Sequence, residues 1–141
     1  MSSAITVSGL RKAYGSFVAV DNVDLQVESG EVFAFLGPNG AGKTTTISMV
    51  SGMLQPTEGV ALIKGTDMWQ NPLEAKKHLG VLPDGVHLFD KLTGEQLITY
   101  SGYLHGLERD TVAERTKDLL QAMDLTDAAG RAVADYSAGM T

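Results

Sequence analysis

The chain has 141 residues, a net charge of −6 and no cysteine, so disulfides, thiolate zinc sites and cysteine nucleophiles are excluded. Its length suits one compact domain, and 43% hydrophobic with 20% charged residues is typical of a soluble globular protein. Because an acidic chain lacks the clustered Lys and Arg that phosphate backbones require, we expect no nucleic acid partner. The sequence has no apolar run long enough to span a bilayer and no secretory signal, which favours a cytoplasmic location.

The N-terminal part of the chain is predicted to be rich in β-strands. Short segments of β-branched residues between turn signals predict strands at 5–7, 17–20, 23–27 and 60–65. The continuous apolar run EVFAFL at 31–36 predicts a strand that is buried on both faces, as in a parallel sheet. A glycine-rich turn follows this run, and a helix is predicted from about residue 43 to about residue 53.

The second half of the chain is predicted to be mainly helical. Asn71 and the proline after it predict a helix that Gly80 ends, and 81–83 predicts a brief strand. TGEQ at 93–96 and TVAE at 111–114 match the capping-box pattern, which predicts two further helices. Apolar or small residues recur at helical spacing after the second box and predict one buried face: Val112, Thr116, Leu119, Leu120 and Met123.

The sequence GPNGAGKT at 37–44 fits the pattern G-x-x-x-x-G-K-[ST] without a mismatch. Its glycines allow backbone N–H groups to converge on phosphate oxygens, and the following helix N-terminus adds free N–H groups and its dipole. Lys43 is expected to reach the β- and γ-phosphates, and the Thr44 hydroxyl to ligate Mg²⁺. Between residues 32 and 57, Lys43 is the only charged side chain. The pattern therefore predicts a nucleoside triphosphate site.

The chain resembles the ATP-binding subunit of ABC transporters. The phosphate loop at 37–45 stands directly after EVFAFL, PTEG follows at 56–59, and YSAGM at 136–140 resembles the family signature LSGGQ. LFDKLTGE at 88–95 and the YSAGM variant are most similar to export-type or multidrug-resistance subunits.

This resemblance implies an α/β fold of the P-loop NTPase class, of the ABC ATPase type. It implies a β-rich phosphate-loop core over about 1–85 and part of a helical subdomain over about 86–141, which together make an incomplete domain.

The resemblance also assigns roles to residues outside the loop. Tyr14 stands where the family places an aromatic ring that stacks on adenine, and Ser137 and Gly139 match the signature that contacts the γ-phosphate bound to the other subunit. Asp84 stands where the family commonly has a glutamine that senses Mg²⁺ and couples to the membrane partner. As a carboxylate it could ligate Mg²⁺, and as part of Pro-Asp-Gly it could equally be a turn residue.

The predicted site residues fall into three groups. Nucleotide binding is assigned to Tyr14, Gly37, Pro38, Asn39, Gly40, Ala41, Gly42, Lys43, Thr44, Thr45, Ser137 and Gly139. The catalytic candidates are Lys43 and Asp84, and the predicted Mg²⁺ ligand is Thr44.

The function implied by the resemblance is ATP binding and hydrolysis coupled to solute export through separate membrane-spanning subunits. The protein would pair with a second ATP-binding subunit on the inner face of the cell membrane. Since the chain stops just inside the signature, before the family's remaining catalytic residues, we expect that it does not sustain ATP hydrolysis unaided. A non-transport ABC-type ATPase and a non-hydrolysing nucleotide-binding module remain alternatives.

Overall fold

The computed structural model describes residues 3–82, 89, 91–137 and 140 of the chain. The chain divides into two compact units, residues 1–82 and residues 83–141. No helix among the described residues is both long and apolar enough to cross a bilayer.

The first unit is a four-stranded sheet with two helices. Its elements are β1 (Ser3–Tyr14), β2 (Phe17–Glu28), α1 (Lys43–Val50), β3 (Glu58–Ile63), β4 (Thr66–Asp67) and α2 (Pro72–Lys76). The strands lie in the order β2-β1-β3-β4, and every neighbouring pair is antiparallel. The segments 17–20 and 23–27, which were predicted as separate strands, are parts of the single strand β2.

The core of this unit lies between α1 and one face of the sheet. Leu10 from β1, Met49 from α1 and Met68 beyond β4 are fully buried, and they form one apolar cluster with residues of β2, β3 and α2. The half-buried Trp69 packs against this cluster, and its indole N–H donates to the Met49 carbonyl at 3.1 Å. The apolar residues of these strands therefore bury one face of the sheet, as the alternation of side chains along a strand predicts.

An exposed ion-pair network joins three strands on the surface of the sheet. The Arg11 guanidinium of β1 contacts the carboxylates of Asp21 in β2 at 3.2 Å and Glu58 in β3 at 2.6 Å. The hydrogen bond to Glu58 and its charge raise the pKa of Arg11, and Asp21 acts in the same direction. Exposed pairs of this kind contribute little to the free energy of unfolding, so the stability of the unit depends mainly on the buried apolar residues.

The run at 31–36, predicted as a buried strand, is not a strand. Val32 and Leu36 are 97% and 92% exposed, and Phe33 packs edge-on against Phe35 at 5.3 Å between ring centroids. A strand forms only where a neighbour accepts and donates its backbone hydrogen bonds, and no described strand pairs with this run. The predicted parallel sheet is likewise wrong for the described residues, whose sheet is antiparallel throughout.

Two predicted helix ends in this unit also differ. α1 ends at Val50 instead of near residue 53, and α2 ends at Lys76, well before Gly80. Val81 and Leu82 are not in a strand, and Pro83 lies outside the described residues. In both cases the residue that signals the helix end lies several positions beyond the last buried residue of the helix, and the helix ends close to that buried residue.

The second unit contains α3 (Gly94–Leu104) and α4 (Arg109–Ala122), followed by the 3₁₀ turns Thr126–Ala128 and Val133–Asp135. The capping box at 93–96 is confirmed: the Thr93 hydroxyl accepts from the Gln96 N–H at 3.2 Å, and the Gln96 side chain accepts from the Thr93 N–H at 3.0 Å.

The helix start predicted by the capping box at 111–114 is wrong, because α4 already begins at Arg109. Thr111 already lies in the first turn, where the Val112 N–H donates to the carbonyl of the N-cap residue Glu108 at 2.9 Å. Of the predicted apolar face, Val112, Thr116 and Leu120 are buried, whereas Leu119 and Met123 are exposed.

Replacing Leu10 by alanine tests the assignment of the core. We expect L10A to lower the free energy of unfolding by about 2–5 kcal/mol, because it leaves a cavity in a fully buried position. The matched control is L73A at an exposed position of α2, which should change it by less than about 0.5 kcal/mol. Urea unfolding followed by the fluorescence of the single tryptophan, Trp69, measures both. Equal unfolding midpoints for the two variants would contradict the assignment.

Candidate functional site: the phosphate loop

The sequence at 37–45 forms a loop that leads into α1, and its three glycines, Gly37, Gly40 and Gly42, all have positive φ values. Gly40 and Gly42 have φ values of 84° and 83°, which residues with a side chain rarely adopt. At Gly42 the space is also closed, since a Cβ there would lie 2.8 Å from the Ala19 carbonyl oxygen of β2. At Gly40 nothing lies within 4 Å of that position. Gly42 is therefore required both by its conformation and by its contact with the sheet.

The N-terminus of α1 is open to a ligand. Gly42 is the N-cap, no described side chain caps this end, and the first turn contains no acidic residue. The first N–H groups of a helix have no intrahelical acceptor, and the helix dipole places positive potential there. The buried Thr46 fixes the turn, because its hydroxyl donates to the Gly42 carbonyl at 3.0 Å. This arrangement favours an anion at the loop.

The Lys43 side chain folds back over the loop. Its ammonium group donates to the carbonyl oxygens of Gly37 and Pro38, each at 2.7 Å. Both acceptors are neutral, whereas a phosphate oxygen carries a negative charge that adds Coulombic attraction to the hydrogen bond from the ammonium group. Lys43 can therefore exchange its two loop carbonyls for phosphate oxygens without leaving the loop.

A cavity of about 320 Å³ lies at this loop. It is lined by Phe17, Ala19, Asn39, Gly40, Ala41, Gly42, Lys43, Thr44 and Thr45. The structure thus brings seven of the predicted nucleotide-binding residues together, and Gly37 and Pro38 are joined to them through Lys43. A second cavity of about 420 Å³ in this unit has a mostly apolar lining whose single charged residue is Glu31, so it offers no cation for a phosphate.

Tyr14 is the last residue of β1 and is 52% exposed. The Lys12 ammonium lies 5.1 Å from the centroid of its ring and donates to the Gln55 carbonyl at 2.7 Å. Across the hairpin turn, Tyr14 pairs with Phe17, the first residue of β2.

Phe17 lines the cavity but was not among the predicted site residues. The signal that could have identified it is an aromatic residue directly across a two-residue Gly-Ser turn from Tyr14.

Ser137 is exposed and follows the last 3₁₀ turn of the second unit; its carbonyl accepts from the Met140 N–H at 2.8 Å. The preceding residue, Tyr136, is held in place, because its hydroxyl donates to the Ala128 carbonyl at 2.8 Å. Tyr136 also lies so close to Gly94 that a Cβ on that glycine would collide with its hydroxyl. Asp84 and Gly139 lie outside the described residues, so their predicted roles stay predictions.

Among residues 3–82, 89, 91–137 and 140, no three His, Asp or Glu side chains cluster as a metal site would require. Thr44, exposed at the phosphate loop, stays the candidate Mg²⁺ ligand.

A pair of alanine substitutions tests the backbone requirement of the loop. Both G40A and G42A place a side chain at a positive φ, which costs about 1–2 kcal/mol. We expect G42A to lower the free energy of unfolding by roughly a further 1–3 kcal/mol, because only its Cβ meets a backbone carbonyl. Urea unfolding of the two variants side by side gives this difference. Equal losses would show that Gly42 does not pack on β2 as described.

Comparison with known proteins identifies the family. Residues 20–141 match the ABC transporter family model. The chain is 40% identical over 139 residues to the doxorubicin resistance ATP-binding protein DrrA of Mycobacterium tuberculosis, covering 97% of this chain and 42% of that protein. It is 40% identical over 123 residues to the ABC transporter ATP-binding protein NatA of Bacillus subtilis, covering 86% and 50%. Over 140 residues it is 36% identical to the Nod factor export ATP-binding protein I of Cupriavidus metallidurans, covering 99% and 46%.

A solved structure of an ATP binding subunit of an ABC transporter has the same fold, with a TM-score of 0.80 at 28% identity. The superposition covers 97% of this chain and 57% of that structure. The chain thus spans about half the length of the relatives it matches, and its α/β fold with the phosphate loop is that of part of an ABC ATPase. The sequence match over most of the chain and the shared fold together show that this chain belongs to the ABC transporter family.

Proposed function

We propose that this chain is the nucleotide-binding part of an ABC transporter ATP-binding subunit, in a protein that couples ATP binding and hydrolysis to solute export. The observation that carries this proposal is the phosphate loop, where Lys43 and Thr44 line one cavity at the open N-terminus of α1. The names of two of these relatives, which refer to doxorubicin resistance and to Nod factor export, support export over import.

ATP is proposed to bind with its phosphates in the loop. The N–H groups at the start of α1 would donate to phosphate oxygens, and Lys43 would replace its bonds to Gly37 and Pro38 with bonds to the phosphates. Tyr14 would supply a ring face for the adenine, since one side of that ring is covered by Lys12 and half of its surface is exposed.

Mg²⁺ is proposed to bind beside the phosphates through Thr44. Its hydroxyl oxygen is a hard donor of the type that Mg²⁺ prefers, and it is exposed at the cavity next to Lys43. When bound, the ion would neutralise charge on the phosphate oxygens. Asp84 is retained as a second candidate ligand, with the role of a turn residue as its alternative.

The whole protein is proposed to work as a dimer on membrane-spanning subunits. Ser137 and Gly139 would contact the γ-phosphate held by the partner's loop, and the anchoring of Tyr136 would fix where this segment begins. Membrane-spanning subunits would then hold the protein at the inner face of the cell membrane. ATP hydrolysis is proposed for that assembly.

Lys43→Ala tests nucleotide binding directly. Because hydrogen bonds to charged groups contribute about 1.5–3 kcal/mol, we expect roughly a ten- to hundredfold weaker affinity for Mg-ATP. Titration calorimetry on the 141-residue chain gives the dissociation constant. The matched control is K64A, which removes an exposed lysine from the turn between β3 and β4 and should leave the affinity within about twofold. Equal affinities for K43A and K64A would refute the proposed site.

Thr44→Val tests the metal ligand, since valine keeps the shape of threonine without its hydroxyl. We expect T44V to lose the gain in ATP affinity that Mg²⁺ gives the unchanged chain over the same titration with EDTA. The control T66V, in β4, should keep the full gain. A Mg²⁺ dependence that survives in T44V would exclude Thr44 as the ligand while leaving phosphate binding by Lys43 untouched.

A further inference from the structure

The phosphate cavity has an aromatic wall that the phosphate-loop pattern does not explain. Phe17 is 65% exposed and lines this cavity together with Ala19. The contact between Gly42 and the Ala19 carbonyl shows that the start of β2 lies directly against the loop. The Phe17 ring therefore stands at the edge of the space where phosphates would bind.

The second ring of the hairpin lies on the same face. Tyr14 and Phe17 are directly opposite in the β1–β2 register, and opposite side chains of an antiparallel pair project from one face with Cβ atoms about 5 Å apart. The Lys12 ammonium covers one side of the Tyr14 ring and is itself fixed by the Gln55 carbonyl. Both residues are more than half exposed. Two neighbouring, exposed rings beside a phosphate site offer a stacking surface for a base.

We propose that Phe17 is a second base-contacting residue, which together with Tyr14 holds the base of the nucleotide whose phosphates bind the loop. This inference rests on the proposed function, and it specifies the ligand more closely. A phenyl ring has no hydrogen-bonding group, so its contact with the base depends on stacking and apolar area alone. Phe17 therefore contributes equally to the binding of adenine and guanine nucleotides, and it contributes nothing to the binding of a triphosphate without a base.

The test compares three probes by titration calorimetry in the presence of Mg²⁺: ATP, GTP and inorganic tripolyphosphate. Unlabelled nucleotides are used because an aromatic label could itself stack on Phe17. We expect F17A to weaken ATP and GTP binding to the same extent, on the order of tenfold, with tripolyphosphate unchanged within about twofold. F17W should bind both nucleotides at least as tightly as the unchanged chain.

The matched control is V18A, which shortens the neighbouring side chain on the opposite face of β2 and should leave all three affinities unchanged. Circular dichroism and Trp69 fluorescence verify that each variant keeps its fold.

The outcomes separate this inference from the proposed function. If K43A weakens ATP binding and F17A does not, Phe17 is not a base contact, whereas the phosphate site stands. An equal loss of tripolyphosphate and nucleotide binding in F17A would mean that Phe17 supports the loop, and would overturn the base contact. If K43A itself leaves ATP binding unchanged, the phosphate site fails, and the role of Phe17 fails with it.

Discussion

The close contact between Gly42 and the Ala19 carbonyl is the constraint on which the candidate site depends. It sets the start of α1 against the start of β2, so the open helix N-terminus and the hairpin face share one cavity. A side chain at Gly42 would collide with this carbonyl, so the start of α1 or the start of β2 would have to shift. The proposed phosphate recognition therefore depends on backbone packing as much as on the lysine.

Local electrostatics at the loop outweigh the acidic character of the chain. An ammonium group in contact with a phosphate charge gains on the order of 4 kcal/mol at an effective dielectric constant near 20. A carboxylate about 20 Å away costs roughly 0.2 kcal/mol in water, before screening by salt. The first turn of α1 contains no acidic residue, and Lys43 is the only charged residue between 32 and 57. The net charge of −6 therefore has little effect on anion binding at the loop. The same net charge does oppose binding to extended polyanions, which sample the whole surface.

The sequence predicts best where a structure is determined within a few residues. The phosphate loop and the capping box at 93–96 are of this kind, because each depends on glycine conformations or on hydrogen bonds across three positions. The strand prediction for 31–36 was wrong for the opposite reason. A strand there would need to pair with a strand from elsewhere in the chain, and no described strand pairs with it. The helix start predicted by the second capping box was wrong because α4 already begins at Arg109. The local pattern at 111–114 therefore lies inside the helix and does not mark its start.

Phe17 shows why a site can extend beyond its motif. In the sequence its only signal is its place across the Gly-Ser turn from Tyr14, and its spacing from the phosphate loop indicates no ligand contact. Its importance comes from the register of the hairpin, which places it opposite Tyr14, and from Gly42, which brings the strand against the loop. The pairing with Tyr14 is local, whereas the contact through Gly42 joins residues far apart in the chain, and a linear pattern does not contain that relation. Base stacking tolerates any aromatic ring, so position 17 needs only an aromatic residue opposite Tyr14. The hairpin fixes that register independently of the phosphate loop.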